Sequence, residues 1–598
     1  MILSDEQLKM IFEAKKGVNI LVDACIGSGK TTTIQALCNE LSDKSILYLT
    51  YNRLLKIDAK RKICNKNVFV QNYHGFAYCV LSKLGKRVGY PQLVKEFNIL
   101  KPEISQYDLL VLDEYQDINQ DIAEMLLIIK EQNPEIQIIA VGDMNQKIYD
   151  STSLNVLKFI ENFLEDYKMI CFTKCFRLSK KYAQYIGNIW NKDIIGVNEH
   201  CQVETMNIEE VTNYLAVQNT KDILCLGSRT SKMSNVLNEL ENKYPFKFNK
   251  YNVYASISDE DRNNTKISNN CAIFTTFDSS KGMERPICVV FDFTENYWES
   301  RLQKPDVKYE ILKNIFCVAM SRGKEKIIFV VPDKNTKMLN EKILSTPVIE
   351  NDVPLIFNIS DMFSFKYEED VFDCYKMLNI EKIHINDKMI IDIKREDGLI
   401  DLSPCIGIYQ EALFFKNYDI DSEVAYAKIR FPKRPPLKIK EGATLEDKIL
   451  YLTAYETYQD RYITQVELPF ITDSQKENIY NRLSTIFNSK EDVQYDCSMD
   501  YISKNNKQCF INGRVDVLKN EIVYELKFVS ELSYNHFLQC ACYMLATNLN
   551  SGILWNIKTN DMFKISIPNK NDFLHQVIKT ITKGLINDTE ELSSPVFK

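Results

Sequence analysis

Four short runs of this chain carry residues whose types and spacing suit phosphate chemistry. The first is Ala24-Cys-Ile-Gly-Ser-Gly-Lys-Thr-Thr32, which follows an apolar run and leads into the amphipathic pattern Thr33-Ile-Gln-Ala-Leu-Cys-Asn-Glu-Leu41. Backbone N–H groups around Gly27, Ser28 and Gly29 can converge on a phosphate only where no Cβ blocks the approach, and the helix that follows points its positive dipole end at the same anion. Lys30 is then placed to reach the β- and γ-oxygens, and Thr31, with Thr32 beside it, to hold Mg²⁺. These runs indicate an ATP site, with alanine at position 24 where such loops usually have their first glycine. The second run, Leu109-Leu-Val-Leu-Asp-Glu-Tyr-Gln-Asp117, puts two carboxylates at the end of an apolar strand, where open α/β sheets bind ligands. Asp113 there suits Mg²⁺, and Glu114 suits the orientation and deprotonation of an attacking water. The third, Val141-Gly-Asp-Met-Asn-Gln-Lys-Ile-Tyr149, ends another strand and places Gln146 to sense the γ-phosphate.

The fourth run lies far downstream. Gly513-Arg-Val-Asp516 and Glu525-Leu-Lys527 flank a tight turn expected at Lys519-Asn520. Residues two apart on a strand face the same side, so Glu525 and Lys527 project together and the hairpin brings Asp516 alongside. Two carboxylates suit Mg²⁺ or Mn²⁺, and an adjacent lysine suits activation of water for attack on phosphorus.

The elements that must position these residues fall into two kinds. Up to about residue 335, apolar strands such as Ser45–Leu49, Leu109–Leu112, Ile136–Val141, Asp222–Leu226, Ile287–Phe291 and Lys326–Val331 alternate with helical patterns, which predicts parallel sheets covered on both faces. Asn335 to Pro354 reads as a linker. Beyond it come hairpin-like pairs, Lys382–Ile385 with Met389–Ile393 and Cys509–Leu518 with Glu521–Val529, which predict an α+β unit.

In order along the chain, these motifs resemble superfamily 1 helicases of the UvrD/Rep type over roughly residues 1 to 335. The resemblance also rests on Leu3-Ser-Asp-Glu-Gln7, Leu49-Thr-Tyr-Asn52, Tyr73-His-Gly-Phe76, Lys174-Cys-Phe-Arg177, Thr275-Thr-Phe-Asp-Ser-Ser-Lys-Gly-Met-Glu284 and Val318-Ala-Met-Ser-Arg322. It implies that Gln7 reads the adenine edge, that Asn52 and His74 lie along single-stranded DNA, that Arg177 and Arg322 stabilise the transferring phosphoryl group, that Gly282 approaches the γ-phosphate and that Glu284 contacts the ribose. It also implies 3′ to 5′ movement. Three features depart from the family. Asp150-Ser-Thr-Ser153 follows Tyr149 where the family has an aromatic and Arg-Gly-Ala, Asp278 stands where the family often has a histidine, and the intervals from His74 to Asp113 and from Arg177 to Asp278 are too short for large accessory domains. The expected motor is whole and its wedge reduced.

The downstream constellation resembles the PD-(D/E)xK nucleases, and Gln539-Cys-Ala-Cys-Tyr543 is similar to the Gln-x3-Tyr of their RecB-like branch. By that resemblance Gln539 and Tyr543 contact DNA, and Glu411, in Gly407-Ile-Tyr-Gln-Glu411, is a third metal ligand. The expected organisation is two RecA-like parallel-sheet domains, 1–172 and 173–335, a linker at 336–355, and an α+β restriction-endonuclease-like domain at 356–598.

Composition bounds the partners. The 598 residues are 45% hydrophobic and 26% charged with a net charge of −7, which argues against coating nucleic acid by bulk charge while leaving room for local basic strips, Lys56 with Lys60, Arg61 and Lys62, or Lys433 with Arg434, Lys438 and Lys440. The 17 cysteines are scattered without a C-x2-C pair, and the chain has five histidines, so reduced thiols are expected and no iron–sulfur cluster. No apolar run approaches a membrane span and Met1–Glu6 lacks the features of a signal peptide, which predicts an intracellular protein. The expected activity is an ATP-driven helicase or translocase on single-stranded or partly single-stranded DNA joined to a metal-dependent nuclease. Two other activities fit the same residues: a DNA-stimulated ATPase with a non-catalytic DNA-binding C-terminal domain, and an NTPase switch acting on a protein partner.

Overall fold

A computed structural model describes residues 3–51, 53–63, 65–86, 88–228, 232–255, 270–304, 307–347, 354–431, 434, 437, 439, 441–587 and 596–597. The first sheet has the order Val68–Asn72, Ile46–Thr50, Leu109–Asp113, Gln137–Gly142, Asn19–Ala24 and Tyr167–Phe172, all parallel. Its strands are apolar on both faces because both are covered. Ile46, Tyr48, Val111 and Ile139 pack with Met10, Ile34 and Leu37 on one side. Leu47, Leu49, Leu110 and Ile138 pack with Phe76, Phe97 and Leu126 on the other.

A second parallel sheet repeats the plan, with the order Val253–Ala255, Ala272–Thr276, Ile223–Gly227, Arg285–Val290, Gly323–Val330 and Gln202–Met206. The stretch after it is packed rather than free over its first half: Leu339 and Leu344 are buried beside Trp298 and Phe316, and the Tyr309 hydroxyl donates to Leu344 O.

The third sheet is mixed and runs Asn379–Ile383, Asp561–Ser566, Ser551–Asn556, Ile522–Lys527, Gln508–Lys519 and Asp492–Ile502, with Val596–Phe597 at one edge and Leu355–Asn358 pairing with Gln508–Lys519. One face packs on the helices Glu368–Lys376, Tyr534–Ala546 and Lys570–Ile581, and the other on Ser403–Phe414, Leu445–Thr457 and Asp473–Ser484. The fold class is thus two parallel α/β units followed by an α+β unit. Among the described residues no helix is long and apolar enough to cross a membrane.

Three details differ from the sequence reading. Lys519 pairs with Ile522, so the hairpin turns at Asn520 and Glu521, both with positive φ (50° and 60°). Two successive left-handed residues match the right-handed twist of the strands they join. Asn379–Ile383 pairs with Asp561–Ser566, not with Met389–Ile393, which forms no strand. The Arg482 guanidinium takes Met389 O, and Ile391 N donates to Lys558 O, so that segment is held by side-chain and loop bonds while Ile391 and Ile393 fill the core. Arg434 belongs to no basic strip: it is 6% exposed and pairs with Asp460 at 2.8 Å. Lys433, Lys438 and Lys440 lie outside the described residues, whereas Lys60, Arg61 and Lys62 are exposed at the end of the helix Arg53–Lys62.

Candidate nucleotide site and candidate nuclease site

The strands Asn19–Ala24, Leu109–Asp113 and Gln137–Gly142 are neighbours, and their C-terminal ends deliver the phosphate loop, the Asp113–Glu114 pair and the Gln146 turn to one crevice. Gly27 and Gly29 have φ of 64° and 77°, and the helix Lys30–Glu40 starts directly behind them. A Cβ on Gly27 would meet the Arg177 Cβ at 2.8 Å, so the glycine is what lets the phosphate loop lie against the segment that carries Arg177. The Ser28 hydroxyl is buried without a partner. Gln7 spends its amide locally: Oε1 accepts from Ser4 N and Nε2 donates to Ser28 O at 3.0 Å, which anchors the phosphate loop to the first helix. Thr31 and Thr32 sit half-buried on the first turn of the helix.

Lys30 Nζ lies 3.2 Å from Glu114 Oε1. Glu114 has φ of 58°, a strained conformation for a side-chain-bearing residue that turns it back over the strand end, and Gln116 donates to its other oxygen. Burial works to raise the Glu114 carboxyl, but Lys30 and Lys281 overcome it and hold Glu114 at about 2. Asp113 goes the other way, raised by burial and by Glu114. Its Oδ2 accepts from the Tyr48 hydroxyl at 2.6 Å and its Oδ1 is buried without a partner. An orphaned carboxylate oxygen on Asp113 beside an ionised Glu114 is a donor pair that a divalent cation fits.

Arg177 Nη2 reaches Glu284 Oε2 at 2.5 Å and Nη1 donates to Ser321 O at 3.2 Å. Arg322, one residue on from Ser321, is 5% exposed with a buried Nε lacking a partner; burial first and Arg177 second lower it to about 10. Two guanidinium groups held within reach of each other, one incompletely paired, fit an anion between them. Glu284 is bound by Arg177 and by Lys324 at 2.5 Å, and Gly282 has φ of 77°. Gln146 Nε2 donates to Asp143 Oδ2 at 2.9 Å.

His74 stacks on Tyr90 with ring centroids 4.6 Å apart, and burial lowers it to about 4, so it is neutral near pH 7. Asn52 lies outside the described residues. Asp278 forms a two-pronged pair with Arg301 at 2.8 and 3.0 Å. Asp150 O and Oδ2 accept from Lys583 of the C-terminal unit, and Glu369 Oε1 accepts from Thr152 Oγ1, Ser153 N and Ser153 Oγ. The segment that departs from the helicase pattern is therefore a seat for the C-terminal unit. On the far side, Arg461 pairs with Glu241 at 3.1 Å and Lys250 with Asp397 at 3.0 Å, so the same unit also grips the second sheet.

In the third sheet, extending the register Val517↔Tyr524 by one step sets Asp516 beside Glu525. Asp516 Oδ2 accepts from Leu526 N at 2.7 Å, Lys527 Nζ lies 2.8 Å from Glu525 Oε1, and Glu525 Oε2 is buried without a partner. Burial, Glu525 and Glu411 push Asp516 well above the usual carboxylate range, and burial raises Glu525 against the pull of Lys527. Glu411 is raised to about 7, by burial first and Glu525 next, while Gln494 Nε2 donates to its Oε2 at 2.5 Å. Three carboxyls that repel one another, one with an orphaned oxygen, fit a divalent cation. Glu411, held by Gln494, is the charge neighbour of Asp516 and Glu525 in this cluster. Sequence reasoning missed Gln494, whose φ of 54° turns it inward next to Tyr495, the partner of Val515; a lone glutamine in a strand gives no signal.

Gln539 and Tyr543 share a hydrogen bond of 3.4 Å on the helix Tyr534–Ala546. A Cβ on Gly513 would meet Tyr543 Cε1 at 2.6 Å, so this glycine makes room for the tyrosine ring. Lys527, Gln539, Asn535, His536, Ser360 and Ser364 line a cavity of about 240 Å³ beside the carboxylates. Burial, then Lys527, lowers His536 to about 3, which keeps it neutral.

The AAA domain family model matches residues 7–152, and the PD-(D/E)XK nuclease superfamily model matches residues 475–566. A curated relative, F-box DNA helicase protein 1 of Schizosaccharomyces pombe, is 32% identical over 81 residues, 14% of this chain and 9% of that protein. The chain thus spans under a tenth of that relative's length. Among solved structures, the Pif1 helicase from Candida albicans is similar with a TM-score of 0.31 at 12% identity, covering 57% of this chain and 98% of that one. Arterivirus nonstructural protein 10 (helicase) in complex with DNA gives 0.29 at 12% identity over 55% of this chain and 64% of that one. With its phosphate loop inside the first matched region and Asp516, Glu525 and Lys527 inside the second, the chain joins an AAA domain to a PD-(D/E)XK nuclease superfamily domain.

Proposed function

We propose that this chain hydrolyses ATP to move along single-stranded DNA, 3′ to 5′, and cuts DNA phosphodiester bonds at its C-terminal site with a divalent cation. The direction and the single-strand preference follow the resemblance to UvrD/Rep helicases, and the relative named as a DNA helicase supports DNA as the track. The observation that carries the motor half is the pairing of an ionised Glu114 with Lys30, in a crevice that Arg177 reaches from the later half of the chain. Glu114 is charged and so able to take the proton of an attacking water. Lys30 leaves Glu114 for the β- and γ-oxygens when nucleotide enters, and Arg177 exchanges Glu284 for the phosphoryl group. Arg322 supplies its unpartnered Nε to the charge that spreads over the equatorial oxygens. Asp113 and Thr31 would hold a divalent cation, which when bound would supply charge neutralisation there. The fingers come from a different unit than the phosphate loop, so turnover depends on cleft closure, which is the coupling a motor requires.

At the second site, Asp516 and Glu525 would hold the cation, which when bound would supply Lewis acidity toward a phosphodiester. Lys527 holds Glu525 by its Oε1 and presents its charge to the adjoining cavity. Gln539 and Tyr543 brace each other at the wall. The test is purified protein with labelled single-stranded and forked DNA, with and without ATP and Mg²⁺. Cleavage that requires the cation, with ATP hydrolysis stimulated by single strands, is expected. DNA-stimulated hydrolysis with no cleavage of any DNA favours instead a translocase whose C-terminal unit only binds DNA.

A further inference from the structure

The turn Met144–Gln146 belongs to the first sheet, yet its grip comes from three later donors. Lys192, just past the helix Lys180–Trp190, donates to Asp143 Oδ1 at 2.9 Å and to Asp23 Oδ1 at 2.6 Å. Asp143 is 1% exposed and uses its other oxygen to accept from Gln146 Nε2. Asn314, on the helix Tyr309–Ala319 that leads to Arg322, donates to Met144 O at 3.4 Å and Lys147 O at 3.0 Å, and its own Oδ1 accepts from Trp190 Nε1 at 3.0 Å. Lys281 donates to Gln146 O at 3.0 Å. The Lys192 backbone is itself fixed: its N donates to Gly187 O at 2.9 Å, and a Cβ on Gly187 would meet Lys192 O at 2.6 Å.

We propose that Lys192 is a positioning residue for ATP hydrolysis, acting through Asp143 to aim the Gln146 carboxamide, so that the later half of the chain sets the orientation of the γ-phosphate sensor. This rests on the ATPase reading above. Asp143 without its lysine is a buried carboxylate short of a counter-charge, and it relaxes toward water or toward Asn145 N, which it already accepts from at 3.0 Å. Gln146 Nε2 then loses its 2.9 Å acceptor and keeps only the longer bond to Ala24 O at 3.3 Å, so the carboxamide is less firmly aimed. A misplaced catalytic group costs turnover more than nucleotide affinity, because binding is carried by the phosphate loop.

The experiment compares Lys192→Met, Lys192→Arg, Gln146→Ala and the double variant Lys192→Met/Gln146→Ala in steady-state ATP hydrolysis, with thermal denaturation of each. Lys192→Met is expected to lower kcat by about tenfold or more with KM for ATP within about threefold, Lys192→Arg to restore most of it, and the double variant to be no worse than Gln146→Ala, since both act through one carboxamide. If Lys192→Met does not fold, Asp143→Asn takes its place, with the same split expected. Wild-type kcat in Lys192→Met, or losses that multiply in the double variant, overturns the relay while leaving the ATPase reading intact. A wild-type protein without ATPase activity overturns both.

Discussion

Lys30 Nζ and Glu114 Oε1 stand 3.2 Å apart with both side chains close to nine-tenths hidden, so the lysine proposed to meet phosphate also holds the proposed base ionised. Lys30→Ala removes both services at once and is expected to abolish ATP hydrolysis. Arg322→Ala leaves the phosphate loop whole, so nucleotide affinity, read by a fluorescent ATP analogue, changes little while turnover falls by about a hundredfold. Wild-type turnover in Arg322→Ala would end the motor assignment.

The carboxyl cluster gives a pH signature in the cation-free protein. Glu411 is raised from 4.5 to about 7, so the folded state holds its proton more tightly than the unfolded chain does. Stability from this group is therefore full below about pH 4.5 and is lost as pH climbs through about 7. Glu411→Gln cannot titrate, so in chelator its melting temperature falls less than wild type between pH 5 and 8. Parallel curves for the two proteins would remove Glu411 from the cluster.

Much of this was legible because the chemistry is written in contiguous runs. Ile20 to Thr32 states a strand, a turn and a helix start, and Leu109 to Glu114 a buried strand ending in carboxylates; each is local and each places its own side chains. What the sequence withheld depends on distant partners. Nothing near Lys192 announces Asp143, nothing near Gln494 announces Glu411, and Arg434 looks like a surface base until Asp460 is brought to it. The hairpin turn was one residue off because Asn520 and Glu521 both adopt positive φ, which glutamate rarely advertises. Met389–Ile393 has the composition of a strand, but no strand is hydrogen-bonded to it.

Gly513→Ala tests how the nuclease wall is built. The new methyl would lie 2.6 Å from Tyr543 Cε1 and 2.8 Å from Ile359 Cδ1, and neither a ring against a sheet nor a buried isoleucine can retreat freely. A cost of about 1–3 kcal/mol in denaturant unfolding is expected from overpacking, with cleavage reduced and ATP hydrolysis unchanged. An unaltered denaturation midpoint would show that Tyr543 has room to move.

Glu369 joins the C-terminal unit to the first sheet by accepting three hydrogen bonds on one oxygen, from Thr152 Oγ1 at 3.0 Å, Ser153 N at 2.5 Å and Ser153 Oγ at 2.7 Å. Hydrogen bonds to a charged group contribute a net of about 1.5–3 kcal/mol each. Glu369→Ala is expected to loosen this seat while Lys583 and Asp150 still hold, so calorimetry should resolve the C-terminal transition at lower temperature than the rest. A single unshifted transition would mean that the seat adds nothing.

On the proposed nuclease reading, Asp516 and Lys527 are expected to separate binding of the cation from its use. Asp516 shares its neighbourhood with Glu525 and Glu411; burial pushes all three carboxyls upward, and the neighbouring carboxylates add to the rise of Asp516 and Glu411. Asp516→Ala relieves that crowding and removes a ligand, so Mn²⁺ titration calorimetry should lose its heat and cleavage should stop together. Lys527→Ala also stops cleavage, for a different reason: the lysine neutralises Glu525 and faces the cavity, and without it the carboxylates are more negative, not less. Mn²⁺ affinity in Lys527→Ala is therefore expected to match or exceed wild type, with ATP hydrolysis normal in both variants because that chemistry sits on other sheets. Loss of Mn²⁺ binding in Lys527→Ala would show that the lysine holds the site together rather than serving the reaction.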